Sequence, residues 1–121
     1  MKVFSMRDLP KEPVDSPLFT GGSVTRQGMV TDESAKNFTC SVVNFSIGAR
    51  NYLHTHTSDQ VLFITEGTGI VATDNEETVV TQGDVVHIPE GERHWHGATK
   101  ESAMSHITIL AVGSKTQQLE P

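Results

Sequence analysis

At 121 residues the chain has the length of one domain, enough to bury about two-thirds of its unfolded surface around a single core. Fifteen acidic residues against nine Lys and Arg give a formal charge of −6. That balance argues against the basic patch that nucleic acid or an anionic membrane surface would require, and the single cysteine rules out an intrachain disulfide.

The opening segment, "MKVFSMRDLPKEPVDSP", carries Lys2 and Arg7 with no apolar h-region behind them, and no run approaches the roughly 20 apolar residues of a membrane span. A cytoplasmic location is the expectation. Pro10, Pro13 and Pro17 exclude a continuous helix, so residues 1–18 are expected to form an extended arm. Six stretches then read as strands rich in Val, Ile, Thr and Phe: "NFTCSVVNFS", "QVLFITEG", "TGIVATD", "ETVVTQG", "DVVHIPEG" and "MSHITILAV". Turn signals separate them at Glu66-Gly67, Asp74-Asn75, Gly83-Asp84 and Pro89-Glu90-Gly91. No window sustains a 3.6-residue apolar period. Short strands at this spacing predict an all-β sandwich or barrel over residues 19–112. Cys40, inside an apolar run, is expected to be buried and inert. The polar stretch 113–121 is expected to fray or to dock on the surface.

Four of the six histidines come in pairs, His54 with His56 and His94 with His96. Strand side chains alternate faces, so each pair projects to one side while Thr55 and Trp95 project to the other. His106 shares a strand face with Met104, Thr108 and Leu110. Imidazole is the commonest protein ligand of transition metals, and a barrel interior lets several strands converge on one ion. Taken singly, an H-x-H strand is more often a polar face than a metal site, and His87 and His106 read as hydrogen-bonded structural residues.

Their surroundings are more specific. From Gly48 the chain reads G-x5-H-x-H-x3-Q-x6-G, ending at Gly67; from Gly83 it reads G-x5-P-x-G-x2-H, through Pro89, Gly91 and His94. This strongly resembles the two signature motifs of the cupin superfamily, small double-stranded β-helix (jelly-roll) barrels with a metal inside. Two positions depart from the wider pattern: Gln60 stands for Glu and Ala98 for Asn. Gly48, Gly67 and Gly83 are expected at strand ends, and Pro89 and Gly91 at a corner that returns "HWH" to the barrel. The strings "GARNYLHTHTSDQVLFIT", "PEGERHWHGAT" and "AMSHITI" are further similar to small single-domain cupins that include the bacterial manganese-dependent hydroxynitrile lyases. That group also carries Gln at the position of Gln60. The resemblance implies that His54, His56, Gln60 and His94 bind the metal and that His96 and His106 line the pocket.

Three neutral imidazoles and an amide oxygen would leave a divalent ion with nearly its full charge, a stronger Lewis acid than one facing Glu. The resemblance favours Mn(II) or Fe(II); zinc, nickel and cobalt stay open. His96 is read as a general acid or base or as a support for the site, and His106 first as a support. The leading functional reading is a metal-dependent lyase acting on a small molecule, resembling the hydroxynitrile lyases. An Fe-type dioxygenase and a non-catalytic metal-containing binding or sensing protein are the alternatives. The proline-punctuated arm and an open barrel edge predict a homodimer, the arrangement the resemblance also implies.

Overall fold

The computed structural model describes residues 1–121, and the β-branched and aromatic runs form twelve strands with a single turn of 3₁₀ helix at Met6–Asp8. The strands are β1 (Glu12–Pro13), β2 (Phe19–Thr20), β3 (Val24–Val30), β4 (Phe38–Phe45), β5 (Arg50–Asn51), β6 (His54–His56), β7 (Gln60–Ala72), β8 (Glu77–Thr81), β9 (Val85–Ile88), β10 (Trp95–Ala98), β11 (Met104–Ala111) and β12 (Thr116–Gln118). Every pairing is antiparallel. The main path runs β1-β3-β4-β11-β7-β10-β5-β2, with β8 and β9 also on β7, and β12 pairs with β6. The sheet curls on itself into a jelly-roll barrel, the all-β architecture expected from the turn spacing. No helix is long and apolar enough to cross a membrane.

One strand belongs to both walls. The first part of β7 pairs with β9 and β11, and its second part, from Thr68, pairs with β8 and β10. The sequence suggests a turn at Glu66-Gly67 that would end a strand, but the chain bends there and continues as a single thirteen-residue strand. Gly67 makes the bend with a φ of +74°, opposite a register shift between Ser105 and His106. A Cβ at this position would overlap the Ala103 carbonyl oxygen. Both the left-handed backbone and the close approach therefore demand glycine.

The barrel interior divides in two. Val24, Val43, Phe45, Ala49, Ile64, Val80, Ala98 and Met104 form an apolar cluster at one end. Ala98, where the wider family pattern has Asn, is part of this packing. Phe45 marks the boundary, with its ring centroid 5.4 Å from that of His106 and 5.9 Å from that of His96. Beyond it the interior is polar. Cys40 is half-buried and burial pushes its thiol pKa up, which makes it less reactive.

Both terminal segments are bound to the barrel. β1 pairs with β3, and the buried Gln27 side chain donates to the Met6 and Leu9 carbonyls. At the other end β12 lies along β6, and Glu120 Oε1 accepts from the Leu53 amide at 2.7 Å and from Arg50 at 3.0 Å.

Candidate metal centre

His54 and His56 both point inward from β6 and are buried, while Thr55 between them faces out, as alternation requires. His94 is held beside them by a reciprocal backbone pair: the His54 amide donates to the His94 carbonyl at 2.9 Å and the His94 amide returns the bond at 3.0 Å. The corner at Pro89–Gly91 sets this approach. Gly91 has a φ of +80° and its amide donates to the His56 carbonyl at 3.0 Å. One ring nitrogen from each of His54, His56 and His94 lies within 4.8 Å of the others.

The outer hydrogen bonds fix which nitrogens face inward. His54 Nδ1 donates to the Tyr52 carbonyl at 2.6 Å and His94 Nδ1 to the Glu92 carbonyl at 2.8 Å. Carbonyls only accept, so these protons sit on Nδ1 and leave Nε2 as a bare lone pair. His56 Nδ1 meets the Thr116 hydroxyl at 2.9 Å, and its Nε2 is buried with no partner. Gln60, at the start of β7, donates from its amide nitrogen to Thr108 Oγ1 at 2.8 Å, which turns Oε1 toward His94 Nε2 at 3.1 Å.

Two acceptors therefore face each other at 3.1 Å, with a third orphaned beside them. Protonation does not relieve this. Burial lowers the pKa of His54 to about 3 and that of His56 to about 4, and it lowers that of His94 as well; the charge of His94 adds to the effect on the other two. Converging lone pairs whose protonation is disfavoured by burial suit a cation, and neutral imidazole suits a divalent transition metal. The residues present fit such an ion.

His96 and His106 lie immediately behind. His96 stacks on His94 with ring centroids 5.7 Å apart, and its Nδ1 is 3.1 Å from His106 Nε2. Two neutral rings in that contact share one proton. Burial drives the His96 pKa well below its ordinary value, with the neighbouring His106 adding to the shift, and burial lowers that of His106 to about 4. Asn51 holds His96 from the other side: its Oδ1 accepts from the His96 amide at 2.8 Å and its Nδ2 lies 3.3 Å from His96 Nε2. His87 stays apart on an exposed face, bonded to Asp59 at 3.0 Å.

The cavity over these groups has a volume of about 350 Å³ and reaches Arg26, Thr108 and Thr116. Asn51, Thr116 and Arg26 are the site residues that sequence reasoning missed. Only Thr108 had a signal, the face it shares with His106.

The molecule is a small curled two-walled β-barrel whose interior carries three converging imidazoles that could hold a metal ion. The chain belongs to the cupin family: residues 41–110 match the model described as "Cupin domain". It is similar to a cupin-like protein of Thermotoga maritima of known structure, with a TM-score of 0.84 and 31% identity over 93% of this chain and 87% of that one. The polyketide cyclase RemF from Streptomyces resistomycificus shares the fold at a TM-score of 0.89 and 17% identity, covering 100% of this chain and 87% of that one. Among curated proteins, an (R)-mandelonitrile lyase of Granulicella tundricola is 43% identical over 70 residues, 55% of this chain and 52% of the lyase. An acireductone dioxygenase of Granulibacter bethesdensis is 41% identical over 61 residues, 47% of this chain and 34% of that enzyme. The matches thus span about half or less of these curated relatives.

Proposed function

We propose that the chain is a metal-dependent lyase that cleaves a small hydroxyl-bearing adduct to a carbonyl compound, in the manner named for its mandelonitrile lyase relative. The observation that carries the reading is the set of inward lone pairs on His54, His56, His94 and Gln60 beside the proton-sharing pair His96–His106. The first four residues hold the divalent ion, with Mn(II) or Fe(II) favoured by resemblance. When bound, the ion supplies Lewis acidity, undiminished because no carboxylate stands among its ligands.

The remaining steps belong to the protein. His96 takes the hydroxyl proton of the adduct at Nε2, where the adduct displaces the contact from Asn51 Nδ2, while its Nδ1 proton is available to His106 Nε2. As the carbon–carbon bond breaks, its electron pair leaves with the cyanide-like fragment, and His96 returns a proton to that fragment. A buried imidazole with a lowered pKa releases this proton readily. Asn51 Oδ1, accepting from the His96 amide, keeps the main chain at His96 in place throughout.

Protein purified without added metal should contain close to one equivalent of a divalent ion by elemental analysis. His94→Ala should lose most of it, whereas Thr55→Ala should not. The metal-loaded protein should also release cyanide from mandelonitrile without oxygen. Full metal occupancy in His94→Ala would remove the ligand assignment. The match to the acireductone dioxygenase favours one second reading, an oxygenase. Turnover that requires oxygen would select it.

A further inference from the structure

Arg26 stands on the inward-turned face of β3 but is solvent-exposed, at the open rim of the barrel. It pairs with Val43 across β3 and β4, and Val43 pairs with His106 across β4 and β11. Directly paired residues share a face, so the three side chains form one row leading to the histidine cluster. Arg26 lines the same cavity as His54, His56 and His96. None of the residues lining that cavity is Asp or Glu, so the guanidinium is its one formal charge when the imidazoles are neutral.

This arginine is also free. The molecule's arginine–carboxylate ion pairs involve Arg50 and Arg93, and His87 bonds Asp59. Glu12 faces Arg26 across the β1–β3 pair and Asp32 shares an outer groove with it, but neither forms an ion pair with it. In a chain of net charge −6, an unpaired arginine facing a carboxylate-free cavity calls for an explanation. A cationic ligand would be repelled by it, and a neutral one would gain little from it. A guanidinium fork matches a carboxylate with two parallel hydrogen bonds, a geometry that an exposed arginine at a cavity rim can offer to an entering ligand. The volume of about 350 Å³ lies at the small end of ligand cavities.

We infer that the cavity takes a small organic carboxylate, with Arg26 gripping the carboxylate at the mouth while the oxygen-bearing end of the molecule reaches the histidine cluster. This deepens the lyase reading by naming a substrate class, a hydroxyl-bearing adduct that also carries a carboxylate, which mandelonitrile lacks. It rests on that reading only for what happens at the inner end. Arg26 is an anion-binding residue and has no part in the proton transfers.

Isothermal titration of the manganese-loaded protein with lactate and mandelate, and with their neutral amides lactamide and mandelamide, tests the inference. The acids should bind at least about tenfold more tightly than the amides. Arg26→Gln should abolish that preference with amide affinity and metal content unchanged, and Arg26→Lys should keep part of it. An equal preference in Arg26→Gln would mean that the metal takes the carboxylate, and would overturn the assignment. So would wild-type protein that binds acid and amide alike, or neither. The same titrations on metal-free protein separate the two readings. A preference that persists there and depends on Arg26, in a protein that acquires no metal, would leave the anion site standing and remove the metal-dependent lyase.

Discussion

An amide at position 60 gives the site a donor that a carboxylate would lack. The Gln60 nitrogen donates to Thr108, and that bond aims the oxygen at His94. A Glu in the same place would keep an oxygen toward the ion, and the Thr108 hydroxyl can turn to donate, so the geometry survives the exchange. The charge does not. In Gln60→Glu, metal affinity should rise on the order of tenfold or more, because a unit charge at bonding distance outweighs an amide dipole. Lyase turnover should fall as the ion's charge is partly neutralised before substrate arrives. Metal-free Gln60→Glu should be less stable than the metal-free parent at neutral pH, since residue 60 is only 4% exposed and a buried carboxylate there lacks a cation. Metal competition titrations and thermal melts, with and without the ion, give these three signs separately. Unchanged affinity together with unchanged activity would mean that the side chain does not reach the ion.

At the scale of the strand, β6 carries two of the proposed ligands and is only three residues long, so its position depends on what lies beside it. β12 supplies that support: Thr116 pairs with His56, Gln118 pairs with His54, and the Thr116 hydroxyl takes up His56 Nδ1. Thr116→Val keeps the shape and removes the partner. Metal affinity should fall roughly 10–100-fold, as for other residues that orient a ligand from behind, while Thr55→Val on the outer face of β6 should leave it unchanged. A chelator titration reads both. The sequence made the paired histidines legible because alternation alone places His54 with His56 and His94 with His96 on common faces. Gln60 was legible through its spacing in the motif. Thr116 was not, because its role arises only when a polar segment sixty residues later docks on β6. Arg26 was hidden for a related reason: a charge within a strand reads as outward, and its inward direction follows from its register with Val43 and His106. The bend at Gly67 looked like a turn because glycine beside Glu is locally ambiguous, and only the closure of both walls on β7 decides it.

For the molecule as a whole, five buried imidazoles create a stability that depends on pH. The folded pKa values of His54, His56 and His106 lie at about 3, 4 and 4, below the ordinary 6.5. As pH falls below 6.5 the unfolded chain therefore takes up protons that the folded chain refuses. These groups cost nothing above that value, the penalty grows down to about 4, and it levels off below the folded pKa values. Between pH 7 and 5 one such histidine costs roughly 2 kcal/mol. Three together rival the 5–15 kcal/mol that holds a typical domain folded. Metal-free protein should thus lose most of its urea resistance between pH 7 and 5, and bound metal should restore it at a given pH because the ion occupies the same lone pairs. Equal denaturation midpoints at pH 7 and 5 for the metal-free protein would show that the histidines are not held neutral.

The clasp of β12 on β6 has a consequence for the order in which the protein is made. Synthesis delivers both histidines of β6 long before the strand that seats them, and His94 arrives between. A growing chain stopped short of residue 116 holds every proposed ligand but lacks the hydroxyl that aims His56 and the strand that flanks it. Under the proposed function, tight metal capture would therefore follow translation past Gln118. Until then, the forming barrel offers an ion three imidazoles, of which His56 is not yet aimed.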